Sequence, residues 1–267
     1  MKKVLLLSLV ALSGLLPLTG CNSEETIIVG LEADYAPFNW YESRGNNFTA
    51  KLDNASGYVD GYDVQISKKI GEELGKKVVF KQLDWDGLIP ALNSFDIDMV
   101  LAGMSPTAER KVQIDFSDEY FRSEVVMVVK TGGTFATATS IADFSGARVV
   151  AQSGTLYDDL IKQIPSVTHL TPRDTYPLLA LAVDSNDADA FISELPVAQS
   201  ITSKNNNLSI IRLTTGGFEI EDEEITVAVG IRKGETELLN GINAALAKIT
   251  AADRNSLMLA ALGRSDS

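Results

Sequence analysis

The 267-residue sequence predicts an α/β fold in two lobes. Two observations carry that expectation. Short Val- and Ile-rich runs alternate with amphipathic stretches, the pattern of mostly parallel sheets flanked by helices. The alternation is also made twice, in two series that meet near Val125.

In the first series Ile27-Ile28-Val29 reads as a buried strand, and the Asn-rich stretch from Ser43 to Gly57 as a loop. Asp63 to Leu74 puts Ile66, Ile70 and Leu74 on one helical face, with Asp63 as N-cap and Gly75 as the stop. Val78-Val79-Phe80 is the next strand, Gly87 to Phe95 a helix, and Met99-Val100-Leu101 the third strand. Val125 to Val129 reads as a strand crossing into the second series, and the small, polar Thr131 to Thr139 as a loop. Then come strand Arg148 to Ala151, helices Leu156 to Gln163 and Tyr176 to Val183, strand Ala188 to Ile192, helix Pro196 to Ser203 and strand Ser209 to Arg212. Ile225 to Ile231 is a further apolar strand. The helices Glu237 to Ile249 and Asn255 to Leu262 fit either lobe by pattern alone.

The N-terminus has a different character. Lys2 and Lys3 precede an apolar stretch, Val4 to Leu18, then Thr19-Gly20-Cys21. A basic start, an apolar run too short to span a bilayer, and small residues before a cysteine read as a secretory signal peptide over residues 1–20. The stretch resembles a bacterial lipobox, in which Cys21, the chain's one cysteine, is lipidated and becomes the first mature residue. Residues 21–25 are then a short tether, and the expected location is the outer face of the cell membrane.

Composition narrows the function. The formal charge is −13, and the signal segment carries two lysines and no acids, so the mature chain stands at −15. Such acidity argues against a nucleic-acid partner. With Cys21 lipidated no thiol remains, and His169 is the single histidine, so no metal site of the usual kind is expected. No Gly-x-Ser-x-Gly elbow accompanies that histidine, and no phosphate or dinucleotide fingerprint is present; no cofactor is expected.

In open α/β sheets ligands bind at the C-terminal ends of the strands. Glu32, Asp34, Tyr35, Pro37 and Phe38 follow the first strand, Asp84-Trp85-Asp86 the second, and Ala102-Gly103-Met104-Ser105 the third, with Glu109-Arg110 close behind. Gln152-Ser153-Gly154-Thr155 and Ser193-Glu194 occupy equivalent places in the second series. Together they offer a guanidinium for a carboxylate, acids for an ammonium, and aromatic faces, a set that suits a small zwitterion. Each has a plainer reading. Arg110 could pair with Glu109 or Asp115, Trp85 could staple a helix, Glu194 could be first-turn charge, Tyr35 core, and Glu32 a solvated loop acid.

The motifs Glu32-Ala33-Asp34-Tyr35-Ala36-Pro37-Phe38, Gly61-Tyr62-Asp63-Val64, Trp85 through Leu92, Ala102 through Arg110 with Ile114-Asp115-Phe116-Ser117, Gln152-Ser153-Gly154-Thr155, Leu195-Pro196-Val197-Ala198 and Val229 through Gly234 occur in this order. In order and spacing they resemble the family 3 extracytoplasmic solute-binding proteins, receptors of polar amino-acid ABC importers. The resemblance implies a two-lobed periplasmic-binding-protein-like fold of type II, with two hinge strands and lobes that close on ligand. Lobe 1 would comprise residues 26–121 and 228–267 and lobe 2 residues 122–227, with crossings near 120–125 and 222–227. It implies that Arg110 clamps the ligand α-carboxylate, helped by Ser105 and the N–H groups after Leu101 (Ala102, Gly103) and after Gly154 (Thr155, Leu156), with Gln152 also among the ligand-binding residues. Glu194, where the family most often has Asp, would meet the α-ammonium. Tyr35 and Trp85 would sandwich the side chain, with Glu32 at its far end. The expected function is capture of a polar amino acid, basic such as arginine or lysine, by a monomer that delivers it to a membrane permease. The alternative is an enzyme on the same fold, since some relatives are dehydratases acting on prephenate or arogenate.

Overall fold

The computed structural model describes residues 25–265. The expected signal segment, Cys21 and all of the expected tether but Glu25 lie outside them. Among the described residues no helix is long and apolar enough to cross a membrane.

The chain first lays down β1 (Thr26–Leu31), then a small irregular layer of β2 (Asp34–Tyr35), β3 (Asn39–Glu42), β4 (Ala50–Lys51) and β5 (Tyr58–Asp60). Helix α1 (Tyr62–Leu74) leads to β6 (Lys77–Gln82), α2 (Leu88–Asn93), β7 (Met99–Val100), α3 (Ala108–Gln113) and β8 (Ile114–Arg122). A second run holds β9 (Val125–Lys130), β10 (Arg148–Val150), α4 (Leu156–Leu160), β11 (Thr168–His169), α5 (Tyr176–Asp184), β12 (Ala190–Glu194), α6 (Leu195–Lys204) and β13 (Leu208–Ile211). Strand β14 (Thr226–Arg232) returns to the first sheet, and α7 (Thr236–Ala247) and α8 (Ala251–Ser265) follow. The two expected lobes are thus two five-stranded sheets, ordered β6-β1-β7-β14-β8 and β11-β10-β12-β9-β13.

The sheets are mixed rather than mostly parallel in their pairing. In the first, β1 pairs parallel with β6 and β7, but β14 pairs antiparallel with β7 and β8. In the second, β10 is parallel to β11 and β12, but β9 is antiparallel to β12 and β13. The reason is connectivity. Strands made within a lobe run toward the cleft and present their C-terminal loops to it. Strands β9 and β14 arrive from the other lobe, so they run away from the cleft. The two crossings lie side by side, with Ser123 N–H donating to Ile225 O at 2.9 Å.

The stretch from Ser43 to Gly57 is not wholly loop. Its β4 pairs with β5, completing a four-stranded antiparallel layer ordered β2-β3-β5-β4. Asn54 then closes on the edge of β6, accepting from Gln82 N–H at 2.9 Å and donating to Gln82 O at 2.8 Å. An asparagine side chain there replaces a missing strand partner.

The expected N-cap of α1 also moves. Gly61, at φ 141°, occupies that position, and Asp63 sits inside the first turn, fully buried. A Cβ on Gly61 would overlap the Phe38 carbonyl oxygen and lie 2.6 Å from Asn39 Cα. Only glycine allows the helix to start this close to the beginning of β3. The apolar face of α1 (Val64, Ile66, Ile70) covers the first sheet, as its period predicts. Helices α7 and α8 pack on α1. Helix α8 also reaches α6 of the second run, where Ser200 Oγ and Ser265 Oγ are 3.0 Å apart.

Candidate functional site

The C-terminal ends of both sheets face one another across a small space. Glu32, Tyr35, Trp85, Gly103, Ser105 and Arg110 line it from the first sheet, and Gln152, Thr155, Leu156 and Glu194 from the second. Of the residues expected here, Ala102 alone is absent from the wall; it is fully buried behind Gly103. Tyr157 and Tyr176 line the space as well and were not expected. Tyr157 lies in the turn that Thr155 and Leu156 open, so its neighbours pointed to it; Tyr176 starts α5 and carried no such signal.

Arg110 is 8 % exposed and pairs with neither Glu109 nor Asp115 in the structure. Its Nη1 donates to Ser105 O at 2.9 Å and its Nη2 to Gly154 O at 3.2 Å. The Trp85 ring lies beneath it, 4.9 Å from centroid to Cζ, and Trp85 Nε1 donates to the same Gly154 oxygen at 3.0 Å. Burial pulls the guanidinium down to about 10, so it stays charged at neutral pH while held by neutral acceptors. That leaves a desolvated cation which a carboxylate would satisfy better than carbonyls do.

The acids lie at other points of the space. Glu194 is buried, not solvated first-turn charge, and Tyr35 OH donates to its Oε1 at 2.5 Å. Its Oε2 is buried with no hydrogen-bond partner among the described residues. Burial pushes its carboxyl up to about 7, although Tyr35, Tyr157 and Ser123 draw it down. Tyr157 and Ser123 act there by proximity, since neither closes a well-formed bond on Oε2. The Tyr35 ring is tilted on Tyr176 at 4.8 Å and stacked on Phe38 at 5.3 Å. Trp85 is thus engaged by Arg110, and Tyr35 by other aromatics.

Glu32 is also buried, against the reading of a solvated loop acid. Its Oε1 accepts from Gln152 Nε2 at 2.8 Å, a bond that spans the two sheets. Burial, then the neighbouring Asp34, pushes its carboxyl up to about 8, against the downward pull of Gln152. Asp34 itself rises to about 6 through burial and Asp84. His169 is outside this space; its Nε2 lies 2.7 Å from Asp158 Oδ1. Among the described residues no group of three His, Cys, Asp or Glu side chains is placed to hold a metal ion. The arrangement therefore offers binding by charge and hydrogen bonds: one buried cation, and two buried acids on the other walls.

Known proteins are similar to this chain in sequence and fold. The bacterial extracellular solute-binding proteins, family 3, match residues 27–258. An arginine-binding extracellular protein of Bacillus subtilis is 32% identical over 259 residues, covering 92% of this chain and 92% of that relative. An ancestral arginine-binding protein bound to arginine superposes with a TM-score of 0.72 at 31% identity, covering 89% of this chain and 98% of that one. An ancestral amino acid-binding protein described as a precursor of cyclohexadienyl dehydratase superposes with a TM-score of 0.73 at 29% identity, over 89% and 95% of the two chains.

Proposed function

Because the chain belongs to the bacterial extracellular solute-binding proteins of family 3, we propose that it captures a basic amino acid, arginine or lysine, for an ABC importer. The observation that carries this reading is the charge layout of one small space: Arg110 on one wall, with Glu32 and Glu194 on others. Arg110 takes the α-carboxylate. Glu194, through its free Oε2, takes the α-ammonium, and Glu32 takes the distal cation of the side chain. The similarity to an arginine-binding protein supports the same choice. The lobe expected at 26–121 and 228–267 takes in the ends of β8 and β14 as well, Arg122, Thr226 and Val227, the stretch between them forms most of the other lobe, and the two close on the ligand. The protein works as a monomer that hands its ligand to a membrane permease.

Calorimetric titration with arginine, lysine, histidine and glutamine tests the ligand. Arginine or lysine should bind tightest, and folded Arg110→Ala should lose about two to three decades of affinity, as when one partner of a buried pair is removed. A preference for glutamine would overturn the basic assignment and leave a polar amino-acid receptor. The lipobox-like segment further supports tethering through Cys21, which Cys21→Ser would release from membranes without changing affinity.

One observation favours a second reading. Glu194, pushed up to about 7 and buried, can hold a proton near neutral pH, as a general acid must. The amino acid-binding protein described as a precursor of cyclohexadienyl dehydratase shares this fold with the chain, so the enzyme reading is worth testing. Incubation with prephenate or arogenate followed by product analysis decides. Recovery of the substrate unchanged is the expected outcome.

A further inference from the structure

The loops after β1 and β7 carry most of the first-sheet groups in the binding space, and both are tied to one carboxylate that does not line it. Asp63 is fully buried, as are Asn39 and Tyr120. Asp63 Oδ2 accepts from Asn39 Nδ2 at 2.8 Å, and Asn39 Oδ1 accepts from Ala33 N–H at 2.7 Å. On the other side Asp63 Oδ1 accepts from Tyr120 OH at 2.8 Å, and Tyr120 Oη accepts from Gly103 N–H at 3.3 Å. Each chain ends on a left-handed residue: Ala33 at φ 62°, between Glu32 and Tyr35, and Gly103 at φ 61°, two residues before Ser105. The two loops also touch, since a Cβ on Gly103 would lie 2.6 Å from Tyr35 Cε1.

We propose that Asp63 is a positioning residue that holds both first-sheet binding loops in their ligand-ready conformation, through Asn39 to Ala33 and through Tyr120 to Gly103. The proposal rests on the amino-acid-binding reading of this site.

The direction of the hydrogen bonds explains why an acid is needed. Both chains begin at a backbone N–H, which can only donate. Asn39 and Tyr120 each accept that bond and pass on a donor, so the central group must accept from both sides. An ionised carboxylate does so with both oxygens. An amide cannot, because its NH₂ would face a donor. Either Asn39 would turn and set its own NH₂ against Ala33 N–H, or Tyr120 OH would rotate and lose its acceptor. In the first case the mismatch falls on Ala33; in the second Tyr120 Oη must accept from the new NH₂ as well as from Gly103 N–H while its own proton is unpartnered, which weakens its hold on Gly103. A left-handed non-glycine residue is costly and needs its surroundings to hold it, so Ala33 is where the mismatch should be felt most.

The test measures amide exchange on the protein without ligand, and calorimetric affinity for L-arginine and L-glutamine, in Asp63→Asn, Tyr120→Phe and Asn39→Ala. Asp63→Asn should raise exchange at least about tenfold at one of the two amides, Ala33 before Gly103, leave Val29 and Val150 near wild type, and weaken binding of whichever ligand the wild type takes by about tenfold or more. Tyr120→Phe should release Gly103 and spare Ala33; Asn39→Ala should do the reverse. That division is a signature general destabilisation would not give. Should Asp63→Asn fail to fold, the other two variants still separate the chains. Unchanged exchange at both amides, or a uniform rise across the first lobe, would overturn the positioning role. A wild type that binds neither of these ligands nor L-lysine would instead defeat the function reading, while the exchange results would still stand.

Discussion

Glu32 and Glu194 set the pH behaviour of the site. Their carboxyls stand at about 8 and about 7 in the folded protein, against about 4.5 when solvated. A raised carboxyl binds more protons folded than unfolded across that interval. Its contribution to stability is therefore full below about pH 4.5 and is lost as pH rises toward 8. A cationic ligand reverses this, because it favours the ionised acids. Arginine affinity should rise from pH 6 to 8, and calorimetry in buffers of different ionisation heat should detect protons released on binding near pH 7. Glu32→Gln should cut that release and lower arginine affinity about tenfold to a hundredfold, with glutamine less affected. Equal losses for both ligands would remove Glu32 from the distal end. The residue types of this site were legible because they follow strand ends, where α/β sheets bind ligands. Their burial was not, since it depends on the opposite sheet: Gln152 covers Glu32, and Tyr35 covers Glu194.

At the scale of elements, strands buried on both faces were the easiest to read. Strand β12 is buried at every position, and β9 reads Val-Val-Met-Val-Val-Lys. Strand β8, Ile-Asp-Phe-Ser-Asp-Glu-Tyr-Phe-Arg, is an edge strand with only Ile114 and Tyr120 buried, so no apolar run marks it. Two-residue strands such as β4 and β11 are set by their neighbours rather than by their own side chains. Asp63 misled for a related reason: Asp before an apolar period is the usual cap, but here a glycine was needed to bring α1 against β3. Gly61→Ala should accordingly destabilise the fold by about 2–4 kcal/mol, because the atoms it meets are backbone and cannot step aside. A denaturant midpoint within error of wild type would contradict that steric account.

Across the whole molecule the acidity has a local shape. A second hollow, which shares Trp85, Arg110, Thr155 and Leu156 with the binding space, is lined by Asp86, Glu109, Asp158, Asp159, Glu219 and Glu224. A cleft of one sign focuses its field and speeds the arrival of the opposite charge. Stopped-flow association of L-arginine should therefore slow as salt rises from about 10 to about 300 mM, while that of glutamine changes little. Identical salt dependence for the two would mean the acids only solvate the rim. The placement of β14 bears on how the chain is made. It lies between β7 and β8, so until residues 226–232 exist the first sheet remains in two pieces, with two open edges facing a gap. The second sheet, drawn wholly from residues 125–211, needs nothing made after Ile211 to complete its hydrogen bonding. A growing chain thus finishes its later-made half first, and the earlier half waits, its β7 and β8 edges exposed, for a strand synthesised more than a hundred residues after them.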